Sequence, residues 1–164
     1  MITLAELNLL PRDQFVADIG WVFEHSPWVA ERAWKQRPFA DLDRLHAAMS
    51  AEVERATRNE QLALLRAHPD LGTRARMSSA SVGEQSGAEL DCLSPEEFQL
   101  LHQRNSAYKE RFGFPFLYAV KGSTKYDILR ALEGRLDSTP EQEFRTALDQ
   151  VYRIAKFRLE EAIK

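Results

Sequence analysis

The sequence predicts an all-α protein, a single compact helical bundle over residues 1–164 with about seven to nine helices. Three observations carry this prediction. Apolar residues recur at three- and four-residue spacing in several long runs. Helix-capping signatures stand in front of most of those runs. No stretch alternates with period two for long enough to make a sheet, and Phe116-Leu117-Tyr118-Ala119-Val120, the one β-like run, is too short. At 164 residues, with 44% hydrophobic and 29% charged residues, the chain is long enough for one folded domain with a proper core.

The elements follow in order. Ser26-Pro27 reads as an N-cap with proline at the first helical position, opening a helix through Trp28 and Trp34. Asp41 opens an amphipathic helix to about Thr57, with Leu42, Leu45, Ala48, Met49 and Val53 on one face. Asn59 is expected to cap a short helix that carries Leu62 and Leu65 toward His68. A loop of Gly, Thr, Arg and Ser is expected between Asp70 and Ser81. Ser94-Pro95-Glu96-Glu97 is a capping box around a proline, and its helix is expected to stop at Gly113. Thr124 begins a helix bearing Ile128, Leu129 and Leu132, with its end placed at Gly134. Thr139-Pro140 starts the last helix, which runs nearly to the end. No repeat, low-complexity segment or linker divides the chain.

Composition removes several classes of function. A net charge of −3 offers no electrostatic footprint for nucleic acid. One cysteine, Cys92, makes neither an internal disulfide nor a multi-thiolate metal site, and suits a reducing compartment. No apolar run approaches the roughly 20 residues that span a bilayer. The first residues lack the basic start and apolar core of a secretory signal, and the last are not a peroxisomal Ser-Lys-Leu type signal. The expectation is a cytoplasmic protein with no membrane and no nucleic-acid partner.

Three places hold residues suited to chemistry. His68 stands before Pro69, which disfavours α geometry in the residue before it, so the histidine marks a helix end. There it is either a capping residue or an acid–base group, since an imidazole with a pKa of about 6.5 exchanges protons near neutrality. Ser81-Val82-Gly83-Glu84 matches a capping box, and Gln85 follows. The same helix start offers N–H groups to an anion, and glycines at 83 and 87 let a ligand approach the backbone. Arg158 falls on the apolar stripe of the last helix, with Phe144, Leu148, Val151, Ala155 and Ala162, whereas Arg153 points away and Arg145 and Lys156 lie on the flank. A buried arginine needs an anion, either a core carboxylate or a substrate carboxylate gripped by both arms.

The remaining candidates read as structure. Trp21, Trp28 and Trp34, with Phe15 and Phe23, are simplest as core aromatics. His25, His46 and His102 are scattered, with no pair at metal-ligand spacing, so no metal is expected. No Walker or Rossmann glycine pattern is present, and Lys121-Gly122-Ser123-Thr124-Lys125 lacks the upstream glycine of a phosphate loop.

Five segments in order bear a resemblance that covers nearly the whole chain. They are SPWVAERAW near the start, HPDL at 68–71, SVGEQSGAELDCL at 81–93, FGFPFLYAVKG at 112–122 and ALDQVYRIAKFRL at 147–159. Together they resemble 2-oxo-4-hydroxy-4-carboxy-5-ureidoimidazoline (OHCU) decarboxylase, of uric acid breakdown. The resemblance implies an all-helical enzyme without cofactor, commonly a homodimer, acting on a small anionic ureidoimidazoline. It implies that His68, Glu84 and Arg158 are catalytic. It further implies that Pro69, Ser81, Val82, Gly83, Glu84, Gln85, Phe116, Leu117, Tyr118, Ala119 and Val120 bind substrate. Glu89 stands where the family pattern has glycine. The expected reaction is decarboxylation to (S)-allantoin and CO2. The alternatives are a non-catalytic helical protein-interaction module, in which an apolar groove dominates, and a hydrolase or lyase acting on a related ureide.

Overall fold

The computed structural model of the chain describes residues 1–72 and 79–164. The expected Gly/Thr/Arg/Ser loop falls mostly on residues 73–78 and so lies outside the described residues. Among the described residues the protein is all-α, with nine α-helices and two 3-10 turns. An isolated bridge joins Ile2 and Ile163. The chain divides into two compact units, one of residues 1–67 and 152–164, the other of residues 68–151.

The first unit contains α1 (Leu4–Asn8), α2 (Arg12–Ile19), α3 (Trp28–Ala33), α4 (Leu42–Arg55), α5 (Arg58–Arg66) and the last part of α9 (Pro140–Ala162). Thr3 and Glu6 form a capping box on α1. Asp41 caps α4 by accepting from the Arg44 N–H at 2.8 Å. Leu45, Ala48, Met49 and Val53 are its buried face, as their spacing predicts. They join Leu7, Phe15, Ile19, Phe23, Val29, Leu64 and Leu65 in the core, and α3 packs on α2 and α4.

Three local expectations in this unit are corrected. The Ser26 hydroxyl donates to the Glu24 carbonyl and does not cap α3. Thr57, not Asn59, caps α5, in a capping box with Glu60. A capping box fixes both ends of a four-residue frame, so Thr57 with its glutamate three residues on outcompetes an asparagine two residues later. The tryptophans are not core residues. Trp21 is exposed, and Trp28 and Trp34 are half-buried, with the Arg32 and Arg37 guanidinium groups 4.5 and 3.6 Å from their ring centres. Stacked arginine covers an indole at the surface while its charge stays in water.

The second unit contains α6 (Ser79–Gly87), α7 (Pro95–Phe112), α8 (Lys125–Arg135) and the first part of α9. Ser94 with Glu97 and Thr124 with Asp127 form capping boxes on α7 and α8. Gly113 closes α7 in the left-handed region, at φ +81°. Helix α8 passes through Gly134 and ends at Arg135. Helix α6 already includes Ser79 and Ala80, so Ser81 lies inside its first turn and is not the N-cap expected from the sequence. Its C-terminus is a Schellman motif. The Leu90 N–H donates to the Gln85 carbonyl at 2.9 Å and the Glu89 N–H to that of Ser86 at 3.1 Å. Glu89 takes the left-handed position, at φ +64°. The core joins Leu101, Tyr108, Phe114, Phe116, Ile128, Leu132, Phe144 and Leu148. Tyr108 and Phe116 meet edge to face, with centroids 5.4 Å apart.

Candidate active site

The turn at His68 is built by its neighbours. Helix α5 reaches its C-cap at Ala67, and Pro69 prevents another turn. His68 is then buried, at 7% exposure. The next residues are tied down one by one. Asp70 pairs with Lys109 at 3.6 Å. The Leu71 carbonyl accepts from Asn105 Nδ2 of α7 at 2.9 Å. The Gly72 N–H donates to Gln85 Oε1 of α6 at 2.8 Å. Glycine is needed at 72, where φ is +72° and a Cβ would stand 2.5 Å from Leu101 Cδ2. The proline break therefore leads into a loop held from two helices, and α6 is one of them.

Helix α6 sorts its predicted residues by face. Ser81 and Gln85, one turn apart, are buried, Glu84 is half-buried, and Val82 and Gly83 are exposed. The Gln85 side-chain oxygen serves the loop through Gly72, so this residue positions the histidine-bearing segment. Among the described residues, a Cβ at Gly83 would meet nothing within 4 Å, and the same holds at Gly87. No contact with a described residue demands glycine at either position.

The predicted wall is neither helix nor strand. Phe116, Leu117, Ala119 and Val120 are buried and Tyr118 is half-buried. The Phe116 and Tyr118 rings stack with centroids 6.1 Å apart and planes 15° apart. Side chains two residues apart lie on one face only when the backbone between them is extended.

Arg158 belongs to the first unit, and its burial on the α9 stripe matches the periodicity, with Arg153 exposed. Its partner is a core carboxylate. Arg158 Nη2 donates to Glu24 Oε2 at 2.9 Å, and Nη1 lies 3.3 Å from the Trp21 carbonyl and 3.5 Å from that of Val22. Glu24 is a residue the sequence did not single out. The buried arginine announces that a carboxylate is needed, but nothing local to residue 24 says which one answers. Asn105 was likewise missed. Its polarity stands inside an α7 face otherwise made of Leu101 and Tyr108, and that interruption is a legible signal.

Among the described residues no group of three or more His, Cys, Asp or Glu side chains could hold a metal, and no helix is long and apolar enough to cross a membrane. Cys92 is exposed, and the Asp91 carboxylate that accepts its S–H pushes the thiol pKa up, away from the reactive thiolate.

An all-α chain whose buried histidine leads into a loop pinned to a polar helix is a candidate acid–base enzyme. The OHCU decarboxylase family model matches residues 8–160. The 2-oxo-4-hydroxy-4-carboxy-5-ureidoimidazoline decarboxylase of Haloferax volcanii is 51% identical over 160 residues, which are 98% of this chain and 95% of that protein. The chain belongs to the OHCU decarboxylase family. Among solved structures, (S)-allantoin synthase superposes with a TM-score of 0.84 at 35% identity over 100% of this chain, which spans 54% of that one. An OHCU decarboxylase solved in the presence of (S)-allantoin gives a TM-score of 0.68 at 25% identity, over 82% of this chain and 89% of that one.

Proposed function

We propose that this chain decarboxylates OHCU to (S)-allantoin and CO2 in uric acid breakdown, without a cofactor. Membership of the family across nearly the whole chain carries this reading. The buried His68 and the loop tied to α6 support it. Family membership also argues against the interaction-module alternative.

The substrate needs no borrowed electron sink. When the bond to its carboxylate breaks and CO2 leaves, the electron pair forms a ring C=C bond, and the π pair of the adjacent C=N moves to nitrogen, which takes a proton. The hydroxyl on the carbon that lost the carboxylate then gives up its proton, and that carbon becomes a carbonyl. The carbon that bears the ureido group takes a proton on one face, which sets the S configuration. His68 is the general acid–base group for these transfers, and Glu84 is its polar partner or the anchor of the ureido N–H groups. Pro69, Ser81–Gln85 and Phe116–Val120 hold the ring.

Arg158 is the cation for the anionic substrate. Its charge is already shared with Glu24, which suits a reaction that must release a carboxylate as CO2, because too strong a grip on that group would stabilise the ground state. The protein works as a cytoplasmic homodimer. Trp21, 41% exposed, is consistent with an aromatic surface to be covered, and light scattering at micromolar concentration tests the dimer.

The test of function is an assay with freshly generated OHCU, following CO2 release and the handedness of allantoin. His68→Asn is expected to keep the fold and lower the rate by about 10²–10⁴-fold. Near wild-type turnover in a folded His68→Asn protein would remove the histidine from the mechanism.

A further inference from the structure

The extended wall from Phe114 to Val120 has no neighbouring strand among the described residues, so side chains must satisfy its backbone. Two do so. The Leu117 carbonyl accepts from Arg135 Nη1, at the end of α8. The Ala119 N–H donates to Gln150 Oε1 of α9 at 2.8 Å. In an extended chain, residues two apart turn their N–H and C=O groups to the same edge and the residue between turns its own to the opposite edge. Leu117 and Ala119 therefore face their anchors. Tyr118 presents its N–H and C=O on the other edge, where neither makes a hydrogen bond among the described residues. Such a peptide edge complements the N–H and C=O groups of a ureide.

Arg135 is itself held. Its Nε donates to Glu143 Oε1, which also accepts from the Tyr108 hydroxyl at 2.6 Å. Its guanidinium lies 4.5 Å from the Phe116 ring centre. Tyr108 and Glu143 are fully buried. Burial, and then the Glu143 carboxylate beside it, push the Tyr108 hydroxyl pKa up. The phenol thus remains a donor and the carboxylate an acceptor. A largely buried ion pair with a phenol on its carboxylate is a poor stabiliser, since apolar side chains of the same volume often do as well. What apolar side chains cannot do is hold the Leu117 carbonyl.

We propose that Arg135, fixed by Glu143 and Tyr108, and Gln150 are positioning residues for the reaction, setting the wall so that the Tyr118 peptide meets the substrate. This rests on the reading that Phe116–Val120 bind substrate. The residues act through the wall and touch no reacting atom. Their loss should therefore lower kcat and the stereochemical purity of the product.

Two variants test the proposal in the full-length protein. Arg135→Lys keeps a charge beside Glu143 but loses the rigid fork. Gln150→Leu removes the acceptor without disturbing any charge, so it stays informative if the arginine variant fails to fold. For Gln150→Leu the expected result, per folded protein, is a fall in kcat of about 10²-fold, as for a displacement near 1 Å, with racemic allantoin appearing. Gln150→Glu, which keeps an oxygen at that position, should restore most of both. A purely structural role would lower the melting temperature yet leave kcat and handedness unchanged, and that result overturns the proposal. If the wild-type protein shows no turnover, the functional reading fails separately. The wall is then judged by (S)-allantoin binding: weaker binding by Gln150→Leu upholds the positioning role, and equal or absent binding ends it.

Discussion

Arg158 and Glu24 form a buried ion pair, 2.9 Å apart, with side chains 3% and 1% exposed. The cation assigned to the substrate is thus also half of a structural pair. Arg158→Ala should cost about 3–5 kcal/mol of stability, because it strands the Glu24 charge in the interior. Arg153→Ala, at an exposed position without such a partner among the described residues, should cost almost nothing. Replacing both partners with apolar residues, Arg158→Met with Glu24→Leu, should recover most of the stability and none of the activity. Urea melts and turnover on the same samples separate the two effects. A double variant that regains activity with its stability would show that Arg158 matters only for folding.

How far the sequence reaches is clear from this pair. The face of Arg158 is legible because a helix repeats every 3.6 residues, and one polar residue in an apolar stripe stands out. Its partner, 134 residues away in sequence, is a tertiary fact that no local pattern encodes. The capping boxes at Ser94 and Thr124 are legible for the same local reason as the stripe. Ser81 misleads because a serine with glutamate three residues on also fits inside a helix. The wall is legible as a motif and unreadable as a structure, since its anchors Arg135 and Gln150 lie on other helices.

Gly83 and Gly87 allow ligand contact to be separated from helix propensity on one helix. Both are exposed, and among the described residues an added Cβ meets nothing within 4 Å at either. Alanine at either position should stabilise α6 by roughly 0.5–1 kcal/mol. Gly83 belongs to the proposed binding segment and Gly87 does not. Gly83→Ala should therefore raise KM while Gly87→Ala leaves it unchanged, both with higher melting temperatures. Identical kinetics in the two variants would take Gly83 out of the binding site.

Acid should weaken α5 through Glu60. Its hydrogen bond to Arg32, and then the bond from the Thr57 N–H, hold its pKa at about 2, below the ordinary 4.5. A carboxyl depressed in this way stabilises the fold above its unfolded value and loses that contribution as pH falls through the folded one. The window is therefore about pH 4.5 down to about 2. Carboxyl-carbon NMR should place the Glu60 midpoint at the lower end, and Arg32→Gln should raise it. An unchanged midpoint in that variant would mean the capping box alone sets the shift.

Glu89 occupies a position that suits glycine. It is the left-handed residue of the Schellman motif that ends α6, at φ +64°. An L-residue there brings its Cβ against a carbonyl oxygen, at a cost of roughly 1–2 kcal/mol, which glycine avoids. Glycine loses more chain entropy on folding, so the expected net gain for Glu89→Gly is only about 1 kcal/mol. For a chain of this length that is a rise of about 2–4 °C in Tm. Glu89→Ala is the necessary control, because it removes the carboxylate and keeps the Cβ. It should show little of the gain. If alanine raises Tm as much as glycine does, the relief comes from losing the charge near Asp91 and not from the backbone. If neither raises it, the left-handed turn is held at no cost.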